Sequence, residues 1–315
     1  MSEERWLVTG ALGCIGAWSC RQQVRDRHIV VCFDLGEDRH RPGLVMSSEE
    51  FAAVEYVPGD IADLGALERV LADRDVSHVL HLAAMLVPLA AADPPRGALV
   101  NVVGTVNVFE AVKRHGVPDR AYASSAAAYD RADGIRVAED ADGHPATHDG
   151  VHKLANEGTA RIYWQDDGVR SVGLRPHVVY GPARDHGMTA GPTLAMAAAV
   201  RGERYEIPFG GRAQFQYAPE VAAMFIEAAC RPGDGAAVRN VGGPSVHVTD
   251  VIAAIETVLP EAAGTITYDE GILLALPEDM EAERPVSTPL AQGVLETVEL
   301  LGHAASGPAL QRREV

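Results

Sequence analysis

Lysine is almost missing from this chain. Lys113 and Lys153 are its only two in 315 residues, so any site that needs an ammonium group has two candidates. Basic charge as a whole is scarce: 27 Lys and Arg stand against 44 Asp and Glu, a net charge of −17. Nucleic-acid affinity comes mostly from Lys and Arg set against phosphates, so nucleic acid is not an expected partner. Cysteine is limited to Cys14, Cys20, Cys32 and Cys230, with no C-x-x-C pair. That spacing gives no disulfide framework and reads as buried thiols in a reducing compartment. Long apolar runs are absent too. The longest, Leu82 to Ala92, contains Pro88 and falls short of the roughly 18 residues of a membrane span. The start, Met1 to Arg5, has no basic segment leading into an apolar one. These absences predict a soluble cytoplasmic protein with no membrane contact.

What is present is a regular alternation. Extended runs at Trp6 to Thr9, His28 to Phe33, Val54 to Val57, Val76 to Leu82, Arg120 to Ser124 and Ser171 to Leu174 alternate with helical spacing. The helical stretches are Ile15 to Val24, Leu64 to Leu71, Ala98 to Val112 and His152 to Trp164. Such alternation means βαβ units, hence an α/β fold of Rossmann type, a doubly wound parallel sheet covered on both faces. After Gly181-Pro182 glycine and proline multiply. We therefore expect a dinucleotide domain at 1–181 and a smaller, mainly substrate-binding region at 182–315. Ala218 to Ala229 and Val238 to Val241 are expected to return to the main sheet. Helices are also expected at 193–200 and 289–301, with surface for a homodimer, and a loosely held tail from Gly307 to Val315.

The strongest motif is Thr9-Gly10-Ala11-Leu12-Gly13-Cys14-Ile15-Gly16, between the first strand and the first helix. Gly10 permits a tight turn, Gly13 lets a pyrophosphate approach the helix N-terminal amides, and Gly16 allows close packing. Asp34 ends the second strand 18 residues after Gly16, placed to accept hydrogen bonds from both ribose hydroxyls and to repel a 2′-phosphate. NAD is the expected cofactor, although Arg39 and Arg41 would serve a 2′-phosphate if their loop folded back.

Further along come Gly59-Asp60-Ile61, His81-Leu82-Ala83-Ala84, Asn101-Val102-Val103-Gly104-Thr105, Ser124 to Tyr129 and Leu174 to Pro182. With the glycine motif, these resemble the extended short-chain dehydrogenase/reductases, the NAD-dependent epimerase/dehydratase family, over nearly the whole chain. The resemblance implies cofactor contacts from Leu12, Cys14, Ile15, Asp60, Ile61, Leu82, Ala83, Ala84, Asn101, Lys153, Pro176 and Val178, beside Gly10, Gly13, Gly16 and Asp34. It implies hydride transfer at a hydroxyl-bearing carbon, with Ser125 holding the substrate oxygen and Lys153 as the lysine of Y-x-x-x-K.

The tyrosine of that motif is not there. Four residues before Lys153 stands Asp149. A carboxyl titrates about 6 units below a phenol, roughly 8 kcal/mol of proton affinity, and Lys153 would favour its ionised form further. Asp149 can accept a proton more readily than give one, and its carboxylate ends about 3 Å short of a phenol oxygen, which invites a water between. A plain helix-capping role competes with that reading. Tyr129, His148 and His152 are other candidate proton donors, with the two histidines expected at the surface and His152 turned away from Asp149. The same segment spells H-D-x-x-H, similar to a zinc motif, but the short Asp and Gly150 argue against a metal, and none is expected.

For substrate contact the candidates are Met85, Ser125, His177, Arg184 and Arg212, because ligands of doubly wound sheets bind beyond the strand C-termini. Arg184 and Arg212 suit a carboxylate or phosphate; Gln214, Gln216 and Tyr217 offer further hydrogen bonds. The chemistry implied is that of an NAD(H)-dependent oxidoreductase or epimerase acting on a small polar molecule, a sugar, a sugar acid or an oxygenated natural product. The competing reading is a non-redox dinucleotide-binding protein, or an isomerase or lyase using the same pocket.

Overall fold

A computed structural model describes residues 4–306. Seven parallel strands form the central sheet: β1 Arg5–Thr9, β2 Ile29–Asp34, β3 Val54–Pro58, β4 His78–His81, β5 Asp119–Ala123, β6 Ser171–Arg175 and β7 Ala236–Asn240. Their order across the sheet is β7-β6-β5-β4-β1-β2-β3, with parallel pairing at every junction. The direction of winding therefore reverses at β1, between β2 and β4. A crevice opens at such a switch point, beyond the strand C-termini.

Alternation along the strands sends side chains to two cores. Trp6 and Val8 of β1 join Val30, Cys32, Leu80 and Val172 on one face. They are covered by helix α1, Cys14–Arg25, and by a helix from later in the chain. Leu7, Val31, Phe33 and Val79 point the other way, under α2, Leu64–Arg74, α3, Gly104–His115, and α4, His148–Asp167. Burial on both faces is what a parallel sheet requires.

The later helix, α5, Ala218–Cys230, packs Val221, Ala222 and Phe225 onto the first core, and β7 completes the sheet edge. Segments after β6 also build a smaller layer. Val178–Tyr180, Arg212–Tyr217 and Ser245–His247 form a three-stranded sheet over a third core that includes Val178, Phe209, Phe215, Val248 and Val294. Helices at Gly191–Val200 and Leu290–Ser306 occupy the stretches where the sequence predicts them.

Two details depart from expectation. The helix predicted over 98–112 contains a wide π turn at Leu99–Val103, a local irregularity that re-aims side chains. Cys14, Cys20 and Cys32 are buried, but Cys230, at the end of α5, is exposed. The tail expected from Gly307 lies outside the described residues. Among the described residues no helix is long and apolar enough to cross a membrane.

Candidate active site

The crevice is a cavity of about 570 Å³ running from the glycine turn to the first turn of α4. Its near end is backbone. Gly10 has φ +68°, and a Cβ there would lie 2.5 Å from the Ala83 nitrogen, so the turn and its contact with the end of β4 both exclude a side chain. A Cβ on Gly16 would meet the Gly10 carbonyl oxygen at 2.4 Å. Gly13 caps α1 in an extended conformation without a side-chain cap, and the first helical hydrogen bond from this end is Ala17 N–H to the Gly13 carbonyl. The amides of Cys14, Ile15 and Gly16 therefore face the cavity as an anion site.

Two carboxylates flank this end. Asp34 accepts from Leu12 N–H at 3.0 Å and Gly36 N–H at 3.3 Å, fixing the glycine loop against β2. Asp60 accepts from Ala62 N–H at 2.9 Å and from Arg96 at 2.7 Å. Arg41 reaches the cavity wall, but its guanidinium is held by Asp185 at 2.7 Å and by the Leu12 carbonyl at 3.2 Å, while Arg39 lies over the Tyr56 ring at 4.1 Å. Neither arginine displaces Asp34, and the arrangement suits an unphosphorylated ribose. His40 bonds Asp38 at 2.8 Å and Asp185 at 2.5 Å, joining the two rims of the cavity. Arg96, Asp185 and His40 have no local signature: the Arg96–Asp60 pair spans 36 residues and the His40–Asp185 pair 145.

The far end is side chains. Ser125 is half-buried in the loop after β5, and its Oγ accepts from Ala127 N–H at 3.1 Å. Its own proton is left to donate. Lys153, in the second turn of α4, reaches back to donate from Nζ to the Ala123 carbonyl at 2.7 Å. Burial lowers its pKa, against the opposing charges of Asp149 and Glu157. Asp149 lies in the first turn of α4, 5% exposed, and lines the cavity with Ser125 and Lys153. Thr147, not Asp149, caps the helix, its hydroxyl accepting from Gly150 N–H at 3.1 Å. Burial raises the Asp149 pKa, while Lys153 and then His152 lower it. Enclosure thus brings carboxylic acid and amine closer in proton affinity than they are in water.

A buried chain backs the site. Thr105 donates to the Asn101 carbonyl at 2.7 Å, so its oxygen accepts from His81 Nε2 at 3.0 Å, and His81 Nδ1 accepts from Thr9 at 2.8 Å. Burial pushes the His81 pKa down to about 3. His177 also lines the cavity; its Nε2 donates to the Pro277 carbonyl at 2.8 Å, leaving Nδ1 without a partner, and burial takes its pKa to about 4. Arg184 lines the wall near Cys14, one guanidinium nitrogen on Thr189 at 3.0 Å and its Nε unpartnered.

Of the predicted contacts, Gly10, Leu12, Gly13, Cys14, Ile15, Gly16, Asp34, Asp60, Ile61, Leu82, Ala83, Ala84, Met85 and Pro176 line the cavity. Three do not. Val178 is fully buried in the third core. Arg212 is exposed on the smaller sheet, where it bonds the Ser245 carbonyl. Asn101, turned by the π segment, lies beneath the site and holds Met85 by both its N–H and its carbonyl. Tyr129 is buried outside the cavity, on Asn240 at 3.2 Å and beneath Arg175, and is no substitute acid. Gln214 and Gln216 bond backbone carbonyls of neighbouring segments. His148 is exposed as expected, but His152 is buried and approaches Asp149 rather than turning away.

Fold and site define an enzyme that binds a dinucleotide at a switch point and works on a small molecule beside it. The sequence profile of the NAD dependent epimerase/dehydratase family matches residues 6–268, and the chain belongs to that family. The residues present fit its cofactor, NAD: a side-chain-free turn, a free helix N-terminus and Asp34 succeed one another along the wall. The chain is 31% identical over 243 residues to a UDP-glucose 4-epimerase of Mycolicibacterium smegmatis, covering 76% of this chain and 77% of that one. Its fold is similar to a UDP-glucose 4-epimerase of Thermotoga maritima, with a TM-score of 0.83 at 20% identity over 96% of this chain and 100% of the other. It is equally similar to an L-threonine dehydrogenase of Clostridium difficile, with a TM-score of 0.84 at 20% identity over 98% and 100%. At such identities the likeness is one of fold.

Proposed function

We propose that this chain is an NAD-dependent sugar epimerase or ketoreductase in which Asp149 takes the proton-transfer place of the family tyrosine. The observation that carries the reading is the convergence of Ser125, Asp149 and Lys153 on one end of a cavity whose other end suits NAD. Bound NAD supplies the hydride acceptor and donor. Ser125, its oxygen already accepting from Ala127 N–H, donates its proton to the substrate oxygen. Asp149 accepts the hydroxyl proton as that carbon is oxidised, directly or through one water, and returns it on reduction. Its raised pKa makes it a stronger base than an ordinary aspartate, and Lys153 keeps the ionised form accessible.

Arg184 supports a substrate or cofactor anion at the wall, and the 31% identical epimerase favours a nucleotide sugar over other hydroxylated molecules. The test is direct. Purified protein is analysed for bound NAD, then offered nucleotide hexoses with product configuration read by NMR, and carbonyl compounds with NADH oxidation read by absorbance. Asp149→Asn is expected to lower kcat about 100-fold or more with NAD affinity within about twofold. Full turnover in that variant removes Asp149 from the mechanism.

A further inference from the structure

Asn101 has more acceptors than protons. Its Oδ1 accepts from Met85 N–H at 2.7 Å and its Nδ2 donates to the Met85 carbonyl at 2.9 Å, which fixes which end of the amide is which. One of the two amide protons is thereby used. The other faces both Asp149 Oδ1 at 3.3 Å and His152 Nδ1 at 3.4 Å. To accept at Nδ1 the ring must be neutral, with its proton on Nε2. Burial disfavours its charged form, more than Asp149 favours it.

We infer that His152 is a positioning residue for Asp149, and that the two share the second Asn101 proton in alternation. When Asp149 is a carboxylate the amide N–H turns to it; when Asp149 holds a proton the same N–H turns to His152 Nδ1. As a neutral acceptor His152 thus keeps a buried donor satisfied in both halves of a proton-transfer cycle and favours the protonated state of Asp149, opposite in sign to the lowering that a charged His152 exerts. The inference rests on Asp149 being the proton carrier only for its catalytic meaning; the sharing itself is a property of the resting protein.

Few other charges act on the pair. Lys153 and His152 act on Asp149; Asp149, His148 and Lys153 act on His152. The segments packed on α4 from the front, Val87–Ala92, Leu99–Val103 and Ala126–Ala128, carry no ionisable side chain. Arg96, between them, is held by Asp60, and on the far side Arg175 is held by Glu157 at 2.6 Å. On α3, Glu110 pairs with Tyr163 and Lys113 with Asp167, near the other end of α4.

The experiment is a carboxyl titration by NMR on 13C-aspartate-labelled protein, with the Asp149 signal identified by its loss in Asp149→Asn. His152→Phe keeps a ring but removes the acceptor, leaving the amide proton to the carboxylate alone. Because His152→Phe and His152→Gln both also remove the histidine's charge, they are compared with each other: the Asp149 midpoint in His152→Phe is expected about half to one unit below that in His152→Gln, which keeps an acceptor. A midpoint in His152→Phe equal to or above that in His152→Gln overturns the inference. The unaltered chain gives a second reading that needs no change at 152. In 15N-histidine-labelled protein the His152 Nδ1 shift must step at the Asp149 midpoint and lose that step in Asp149→Asn; a flat Nδ1 signal also overturns it. Turnover is read separately. A shifted midpoint together with an active Asp149→Asn keeps the shared proton and rejects the proposed function, while the converse pair of results does the opposite.

Discussion

The two ends of the cavity differ in what they are made of. At the dinucleotide end the binding surface is mostly backbone, the turn at Gly10 and the open amides of α1, and its side chains are short and tied to nearby N–H groups. At the proton-transfer end every group is a side chain. Ser125 comes from the loop after β5, Asp149 and Lys153 from α4, and Asn101 from a π turn about 50 residues earlier. Backbone sites tolerate little change because there is nothing to re-rotate. Side-chain sites let one group take another's place, provided the surroundings supply the missing proton affinity. On the proposed function, that difference is what lets Asp149 serve as the proton carrier at an end built of side chains.

The largest effect that bears on this comparison is at Gly16. A valine there would drive its Cβ into the Gly10 carbonyl at 2.4 Å and the Ala11 backbone at 2.7 Å, pushing α1 off the turn. NAD affinity by calorimetry is expected to fall about 1000-fold, roughly 4 kcal/mol. A loss under tenfold with unchanged melting temperature shows that the backbone cradle is not what binds. At the other end, Lys153→Met is expected to reduce kcat about 100-fold. It should also raise the pH at which activity rises, because Lys153 is the main charge lowering the Asp149 pKa. A smaller kcat with an unmoved pH profile separates the lysine from the carboxylate and leaves it as a cofactor contact alone.

The readable part of this chain was the part governed by neighbours in sequence. Gly10, Gly13, Gly16 and Asp34 lie within one βαβ unit, so their spacing between strand and helix is enough to place them together on the cavity wall. Asn101, a cofactor contact by the resemblance alone, lies in a π turn and holds Met85 with its amide, and no residue in Leu99–Val103 announces that turn. Arg212 was misplaced because an arginine beside a glycine-rich loop looks the same whether it faces a ligand or a β-edge carbonyl. His152 was misread for a different reason. Residues three apart on a helix are separated by only roughly 60° around its axis, so Asp149 and His152 share a face. What brings them into register is Asn101 from another segment, which no local pattern records.

The smallest expected effect tests whether the two ends are equally closed to water. His81 bonds Thr9 behind the glycine turn and His177 lines the cavity wall, with pKa values pushed by burial to about 3 and about 4. Both are below the ordinary value of 6.5, so the folded chain binds fewer protons than the unfolded one. Their stabilising contribution is complete above that value and is lost as pH falls toward the folded values. Between pH 7.5 and 5.5 each histidine should remove about 1.4 kcal/mol of unfolding free energy. Asp149, with a raised folded pKa, works in the opposite sense, since protonating it relieves a buried charge. Denaturant unfolding of His81→Asn and His177→Asn at the two pH values isolates each contribution: either variant should lack its own share of the decline. If only one of them flattens the slope, the other histidine is hydrated, and water reaches that end of the cavity in the resting protein.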